Sequence, residues 1–272
     1  MAYANFKPTV WSKYIQHELS KMTVLQEDCN TCFAGEHGLG KTVKIIGVSR
    51  PNVGTYVPGS DIDTAETPAD SSMLLTVDQF RYTHFIVDDV DRAQSQEGLM
   101  QAYLRESTSA LAECRDRYIA ATAAAGTLRS ASLAVATAAD ARAAIDAALV
   151  TLWDNGVKVT DGVSITVSPW FYALLKNALT AELSNNAELL QKGVLGLYNG
   201  ATVKMSNNLV RDGADDCMLV RTKNAVAFAS GIEKTEAYRP DKQFADAVKV
   251  LDCYGAKLVR PRELYVVCAH KA

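Results

Sequence analysis

The sequence predicts an α+β protein whose most unusual feature is a long two-stranded ribbon. Residues 42–49 (TVKIIGVS) and 73–87 (MLLTVDQFRYTHFIV) are rich in the β-branched and aromatic residues that favour strands. Residues 50–72 between them contain the Pro, Gly, Ser and Asp residues typical of loops. At full extension the second run would reach roughly 45–50 Å. A two-stranded ribbon is marginal alone in water, so we expect it to lie on a neighbouring copy of the chain.

The second observation behind the fold class is a long amphipathic helix after the ribbon. Residues 88–91 (DDVD) and Ser95 are N-cap candidates, and the helix is expected to run to about Gly126. One predicted packing face contains Met100, Leu104, Ser107, Leu111, Cys114 and Tyr118. The other, solvated faces are expected to carry Arg105, Glu106, Glu113, Arg115, Asp116 and Arg117.

The third observation is a lobe in which helices and strands alternate without a doubly wound pattern. Residues 140–154 and 169–183 are predicted helices, the second with Pro169 at its first position. The predicted strands here are residues 164–167, 201–205, 218–221 and 225–229. The closing strands are predicted at residues 245–253 and 257–269, with Gly255 as a turn and Pro261 as a break, and the run LYVVCA is expected to be covered on both faces.

The N-terminal residues 1–34 are expected to form an arm. Trp11, Ile15, Leu19 and Met22 follow one another at spacings of four, four and three, which predicts a short helix over residues 11–25. No neighbouring sequence would cover its apolar face, so we expect the arm to dock on another surface.

Composition excludes several classes of function. The chain has 28 Lys and Arg against 31 Asp and Glu, a net charge of −3, so it lacks the strong basic balance of nucleic-acid readers. We expect no membrane partner, because no stretch approaches the length of a membrane span, and the start has no apolar signal-peptide region. Maturation in the cytosol with six reduced cysteines is therefore expected, and Cys217, Cys253 and Cys268 are interpreted as small buried hydrophobes.

One segment matches a phosphate-binding motif in sequence but lacks the flanking strand and helix that the motif requires. Residues 35–42 (GEHGLGKT) match the P-loop pattern, yet that loop requires a buried strand before it and a helix after it. Here a polar segment precedes the motif and a strand-like run follows it. We interpret its glycines as a turn leading into the ribbon.

No other constellation predicts an active site. Cys29 and Cys32, with His37 nearby, match half of a zinc site or a redox pair, but a second ligand pair is missing. The remaining histidines, His17, His84 and His270, lie in separate predicted elements. We predict no catalytic residue, no cofactor-binding residue and no metal ligand, and hence a protein that is not an enzyme.

Three C-terminal segments and one segment before the long helix resemble a known family. These are residues 193–209 (GVLGLYNGATVKMSNNL), 225–240 (AVAFASGIEKTEAYRP), 244–261 (FADAVKVLDCYGAKLVRP) and 87–95 (VDDVDRAQS). Together with the order of elements, they resemble the major capsid proteins of tailed phages, which have the Hong-Kong-97-like capsid fold. The resemblance covers nearly the whole chain.

The resemblance implies a division of the chain into five parts. These are an N-terminal arm (1–34), an extended β-hairpin loop (35–87), a peripheral domain with a spine helix (88–139), an axial domain (140–230) and peripheral return strands (231–272). Candidate subunit contacts are Trp11, Ile15, Arg50, Tyr56, Leu75, Phe80 and Tyr82.

The implied function is mechanical. Copies of the chain would form pentamers and hexamers that close an icosahedral shell around phage double-stranded DNA, which the shell would contact without sequence specificity. The expected location is the virion, after assembly in the bacterial cytoplasm. Expected partners besides other copies are a separate scaffolding protein, a portal and cement proteins.

Two departures from some family members carry expectations. Residues 50–72 contain no lysine, which predicts a shell without covalent cross-links between subunits. Only about forty residues precede the ribbon, which favours a separate scaffolding protein. The alternatives are an encapsulin-type compartment shell, a P-loop nucleotide-binding protein and a small-oligomer binding module.

Overall fold

The computed structural model describes residues 23–32, 42–48, 53, 55–56, 58–59, 61, 70–89, 99–182, 197–230 and 234–272. The helices are α1 (Leu99–Ala124), α2 (Ala138–Asp154) and α3 (Pro169–Glu182) within these residues. The strands are β1 (Thr42–Val48), β2 (Asp70–Thr76), β3 (Gln79–Asp88), β4 (Leu133–Val135), β5 (Val163–Val167), β6 (Leu197–Tyr198), β7 (Ala201–Met205), β8 (Arg211–Asp212), β9 (Asp215–Thr222), β10 (Val226–Ser230), β11 (Lys234–Tyr238), β12 (Ala245–Leu258) and β13 (Leu264–Lys271).

The described strands form three sheets. Strands β1 and β2 make an antiparallel two-stranded ribbon. The long strand β12 pairs with β3, β10 and β11 in a four-stranded antiparallel sheet. The third is a seven-stranded mixed sheet in the order β4-β13-β9-β5-β7-β6, with β8 at the side of β9. The α+β prediction is confirmed.

Local sequence signals position the helices of the larger lobe. Thr137 and Asp140 form a reciprocal capping box at the start of α2, and Pro169 opens α3. Ile145, Leu149 and Phe171 from these two helices pack with the seven-stranded sheet in one core. Every residue of β5 is buried, as expected for a central strand. Strand β13 contains the predicted LYVVCA run, of which only Tyr265 is not fully buried.

Gly255 is not a turn, and this prediction was wrong. Strand β12 continues through it without interruption, pairing Gly255 with Ala229 of β10. A Cβ atom at this position would lie 2.1 Å from the carbonyl oxygen of Thr76. The glycine therefore serves a close approach of two backbones and not a change of chain direction.

The predicted single strand over residues 73–87 is also wrong, because the structure breaks it at Val77 and Asp78. Strand β2 ends at Thr76 and belongs to the ribbon, whereas β3 begins at Gln79 and pairs with β12 of the chain's own sheet. Val77 is buried in a small core with Ala227, Ala229 and Cys253. Burial of this one side chain fixes the bend. The sequence has no Gly or Pro here that would have predicted it.

The long helix exists, but two of its predicted solvated residues are buried. Leu104 and Leu111 pack against β12 as expected. Arg115 and Asp116, however, are almost fully enclosed. Residues 90–98, which include the predicted N-caps of this helix, lie outside the described residues. None of the described helices is long and apolar enough to span a membrane.

Arg115 holds α1 to the four-stranded sheet. Its Nε and Nη2 atoms donate to the two carboxylate oxygens of Asp252 in β12, at 2.8 and 2.5 Å. Its third donor, Nη1, reaches Gln26 Oε1 at 3.2 Å. The guanidinium also lies 5.8 Å from the ring centroid of Tyr254 and 5.9 Å from that of Phe228. A buried bidentate pair with this many partners joins the helix, the sheet and the N-terminal segment.

We predict that Arg115→Leu lowers the free energy of unfolding by about 3–5 kcal/mol, because the Asp252 carboxylate would stay buried without its cation. Urea denaturation measures this loss. Arg117 is the matched control, since it lies two residues along the same helix with 66% of its side chain exposed. Arg117→Leu should change stability by less than about 1 kcal/mol. Equal effects of both substitutions would contradict the proposed role of the buried pair.

Candidate assembly surfaces

The four-stranded sheet is covered by α1 on one face and only in part, around Leu75 and Val77, on the other. Alternate residues of β3 point to opposite sides, so Phe85 packs towards α1 while its neighbours point outward. The outward residues include Phe80, Tyr82 and Ile86, which are 50%, 76% and 44% exposed. Helix α1 lies on the covered face only. We call the outward residues of β3, β11 and β12 the outer sheet face.

A shallow cavity of about 430 Å³ lies on the outer sheet face, lined by Tyr82, His84, Lys234, Glu236, Tyr238, Lys249, Val250 and Leu251. The rings of His84 and Tyr238 stack with centroids 6.0 Å apart, and the Tyr238 hydroxyl lies 3.0 Å from His84 Nε2. The Lys249 ammonium lies 5.6 Å from the Tyr238 ring centroid. The cavity therefore has an aromatic floor with charged groups along one side.

Glu236 organises these charges. Its carboxylate oxygens lie 2.6 Å from Lys234 Nζ and 2.6 Å from Lys249 Nζ. The hydrogen bonds from Lys234 and Lys249, with the attraction of their two positive charges, lower the pKa of Glu236 to about 2. The same carboxylate raises the pKa of Lys249. These two ion pairs hold Lys234 and Glu236 of β11 and Lys249 of β12 together at the edge of the aromatic floor.

The base of the ribbon rests on its own subunit. Val43 and Ile45 of β1 pack on the small core that contains Leu75 and Val77. Leu75 is fully buried there, so its side chain is not available to a neighbouring subunit, which corrects its selection as a contact. On the opposite face of the same base, Leu74 is 58% exposed. The expectation that the whole ribbon lacks support within its own chain is therefore wrong for its first part.

The other selected contact residues divide into two groups. Tyr56, Phe80 and Tyr82 are exposed, and their role as subunit contacts stays a prediction. Trp11, Ile15 and Arg50 lie outside the described residues. The sequence analysis missed Ile86 and Tyr238, which share the outer sheet face. The alternating pattern FRYTHFI in β3 could have predicted that Ile86 points outward with Phe80 and Tyr82. Tyr238 could not be found in this way, because no strand was predicted for the segment that forms β11.

Residues 23–32 are anchored to the body of the same chain. Asp116 accepts hydrogen bonds from the backbone N–H groups of Val24 and Leu25, at 2.9 and 3.1 Å. The buried Arg221 donates to the carbonyl oxygens of Leu25 and Asp28, at 2.8 and 2.5 Å. The expected docking of the arm on another surface is thus wrong for these residues. Those before residue 23, including the predicted helix, lie outside the described part.

The segment 23–32 also joins the four-stranded sheet. The Asn30 N–H donates to the Val226 carbonyl at 2.9 Å, and the Phe228 N–H donates to the Asn30 carbonyl at 3.0 Å. Lys204 forms ion pairs with Glu27 and Asp28, both at 3.0 Å. The segment consequently bridges the strands of the two larger sheets.

A serine–histidine–aspartate cluster does not have the geometry of a catalytic triad. His270 Nδ1 lies 2.7 Å from Asp215 Oδ1 and 3.4 Å from Ser132 Oγ. A triad needs the serine on one ring nitrogen and the carboxylate on the other. Here both partners share Nδ1, and Ser132 donates instead to Asp215 at 2.9 Å. The imidazole cannot pass a proton from the serine along this arrangement.

The sequence motifs for nucleotides and metals gain no support from the residues described. A strand, β1, begins at Thr42, where a P-loop would start a helix. Cys29 is buried and donates to the Leu25 carbonyl at 3.3 Å, whereas Cys32 is exposed. Within the described ranges, no three His, Cys, Asp or Glu side chains are grouped to hold a metal ion.

Comparison with known proteins identifies the class to which this architecture belongs. A chain from Mycobacterium phage Che8 superposes with a TM-score of 0.75 and 32% sequence identity over 90% of each chain. The capsid structure of the cyanophage P-SCSP1u gives a TM-score of 0.72 at 18% identity, covering 92% of this chain and 89% of that one. A virus-like particle from Pyrococcus furiosus shares the fold at a TM-score of 0.60 and 10% identity, over 95% and 98% of the two chains. The curated proteins contain no match.

These likenesses define a viral capsid fold of the Hong-Kong-97-like type, as the resemblance in the sequence implied. The family model described as phage capsid protein matches residues 70–267. The chain belongs to the phage capsid protein family. It is a structural component of the virion that self-associates in shells, and it is not an enzyme.

We predict that Glu236 makes stability depend on pH in the acid range. Because its pKa is lowered to about 2 in the folded chain, its contribution is fully present above its unfolded pKa of about 4.3 and is lost as the pH falls towards 2. Denaturation at several pH values should show that Glu236→Gln has a shallower loss of stability between about pH 4.5 and 2 than the wild type. Glu106→Gln, at an exposed position of α1, is the control and should retain the wild-type slope. A wild-type slope in Glu236→Gln would contradict the prediction.

Proposed function

We propose that this capsid protein assembles as pentamers and hexamers into an icosahedral shell that encloses phage double-stranded DNA. The observation that carries the proposal is the combination of two incomplete surfaces in one chain. The ribbon projects from a base in its own subunit, and the outer sheet face exposes a row of aromatic and aliphatic side chains. Contact between the first surface of one copy and the second of the next is heterologous, and such contacts form rings where the rotation from copy to copy closes.

The ribbon of one subunit lies across the outer sheet face of its neighbour in this proposal. The receiving residues are Phe80, Tyr82 and Ile86, with Tyr238 at the far edge. The ribbon contributes Leu74 and the exposed Tyr56, which is 63% accessible in the single chain. Burial of large aromatic side chains supplies much of the association energy in protein interfaces. The charged Lys234, Glu236 and Lys249 fit the polar rim of such a contact.

The domain assignment extends the proposal to the rest of the chain. Residues 88–139 with α1 and the return strands 231–272 are assigned to the peripheral domain, and residues 140–230 to the axial domain, whose tips meet around the symmetry axes. Strand pairing moves three strands across these bounds: β10 pairs with β12 in the four-stranded sheet, whereas β4 and β13 pair in the seven-stranded sheet. Residues 35–87 form the extended loop, with the qualification that β3 belongs to the subunit's own sheet. Residues 1–34 form the arm, whose last part is anchored within the subunit.

Assembly takes place in the bacterial cytoplasm with a scaffolding protein, a portal and cement proteins as partners in this proposal. The packaged DNA touches the shell without sequence specificity. The net charge of −3 supports this part, because a near-neutral wall does not hold phosphates in place. The match to the phage capsid family and the 32% identity to the Che8 chain favour this function over an encapsulin-type compartment.

Electron microscopy of the expressed protein tests the assembly. We expect closed shells when the chain is produced alone or together with the genes that neighbour its own. Tyr82→Asp should abolish the shells, because a charge would be buried in the ribbon contact without a partner. Tyr82→Phe is the matched control, since it keeps the ring and should assemble.

Circular dichroism and thermal unfolding show whether Tyr82→Asp is folded. A folded Tyr82→Asp that still forms normal shells would remove the outer sheet face from the interface. Compact monomers or small oligomers of the wild type under both expression conditions would overturn the proposed shell itself.

A second prediction concerns cross-links between subunits. Because residues 50–72 contain no lysine, this part of the extended loop cannot supply an amine for a bond to a neighbour. Shells boiled in denaturant should therefore migrate as monomers of 29.4 kDa on a gel. A ladder of multimers that survives reduction would contradict the prediction.

A further inference from the structure

Two free cysteines face each other on adjacent strands of the seven-stranded sheet. Cys217 of β9 is the direct cross-strand partner of Cys268 of β13 in the antiparallel register. Both thiols are reduced, and both residues are 2% exposed. The capsid function described above makes no use of this pair.

The hydrogen-bond pattern shows that the two cysteines form a non-hydrogen-bonded antiparallel pair, the kind in which the two residues lie closer together. The Cys217 N–H donates to the Val210 carbonyl at 2.8 Å, on the side of β9 that faces away from β13. The Cys268 N–H donates to Ser130 Oγ at 2.9 Å, and its carbonyl accepts from the same hydroxyl, on the side of β13 that faces away from β9. Neither residue therefore bonds the other through its backbone.

Such a pair has its Cα atoms about 4.5 Å apart and its side chains closer together than in the alternative arrangement. A disulfide accepts Cα separations of about 4.4–6.8 Å. The strands consequently hold Cys217 and Cys268 within bonding range without a movement of the backbone. Cys253, which is equally buried, has Phe80 as its cross-strand partner on β3.

Arg129 makes the two sulfurs chemically unequal. Its guanidinium donates to Cys268 Sγ at 3.2 Å and to Asp212 at 2.8 Å, and 42% of its side chain is exposed. A guanidinium beside a sulfur favours reaction of that sulfur with an oxidant. Burial, followed by the charge and hydrogen bond of Cys268, raises the pKa of Cys217 to about 11. Cys268 is thus the sulfur that reacts first, and Cys217 is the one that follows.

We propose that Cys217 and Cys268 are a modification site, at which a small peroxide converts the two thiols to an intrasubunit disulfide. The Cys268 sulfur attacks one oxygen of hydrogen peroxide, the O–O bond breaks, and a sulfenic acid and one water form. The Cys217 sulfur then displaces the sulfenic oxygen, which leaves with the thiol proton as a second water. Two thiols and one peroxide give one disulfide and two waters, so the sulfurs are oxidised and the peroxide is reduced.

The bond would join β9 to β13 near one end of their ladder. A component of the virion meets oxidising surroundings outside the cell, where disulfides persist. Cross-linking two strands restricts the unfolded chain and raises stability. The reduced subunit would fold and assemble first, and oxidation would strengthen it afterwards.

Peptide mapping tests the proposal with wild-type protein. Trypsin places Cys217 in residues 212–221, Cys268 in residues 263–271 and Cys253 in residues 250–257, with one cysteine in each peptide. After treatment with hydrogen peroxide, blocking of free thiols and digestion without reductant, mass spectrometry should find peptides 212–221 and 263–271 joined, with the loss of two hydrogens. Peptide 250–257 should carry the blocking group.

Thermal unfolding supplies the second measurement. Peroxide should raise the melting temperature of the wild type and of Cys253→Ala by several degrees, and dithiothreitol should reverse the rise. Cys217→Ala should show no rise and should accumulate oxidised Cys268. If Cys217→Ala does not fold, the peptide map of the wild type decides alone. Linkage of Cys268 to another cysteine, or oxidation of both sulfurs to sulfinic acids without linkage, would overturn the proposal.

Discussion

The structure depends on the buried ion pair between Arg115 of α1 and Asp252 of β12. Each partner would be costly to bury alone, so the helix and the sheet must meet in the one register that brings the two charges together. Gln26 accepts a hydrogen bond from Nη1 of the same guanidinium, which extends the constraint to the N-terminal segment. Asp116, the next residue of the helix, binds the backbone of that segment. Two adjacent charged residues therefore determine how three parts of the chain are assembled.

This constraint gives the ribbon a rigid origin. Gly255 lies on the β12 segment close to Asp252, and its missing side chain allows the Thr76 carbonyl to approach the strand. Val77 is buried beside it, and β3 then returns to pair with β12 over ten residue pairs. The direction of the ribbon is thus set inside the subunit, whereas Phe80, Tyr82 and Ile86 of the outer sheet face remain exposed. In the proposed shell, the ribbon of one subunit contacts these residues of the next.

The elements were largely predictable from the sequence, because periodicity and caps are local signals. The helices after Thr137 and Ser168 and the strands β5, β7 and β9 follow from them, as does the absence of a P-loop helix after Thr42. Three features were not predictable for a physical reason. Arg115 and Asp116 look like surface charges until their partners are known, and those partners lie at least 89 positions away along the chain. Glycine is typical of turns, but Gly255 lies inside a strand, at the place where the backbone of Thr76 comes close to β12. The bend at Val77 depends on a core built from strands much later in the sequence.

The split of the predicted long strand into β2 and β3 has a mechanical consequence. Tension along β2 enters the subunit through the short link at Val77 and Asp78 and passes directly into β3. The ladder between β3 and β12 then shares the force over its whole length, because the hydrogen bonds between antiparallel strands run across the direction of the strands. A force that reaches β12 is transmitted to α1 through the ion pair between Asp252 and Arg115. The subunit can therefore act as a tie between its neighbours, with the strongest part of its own framework in the line of pull.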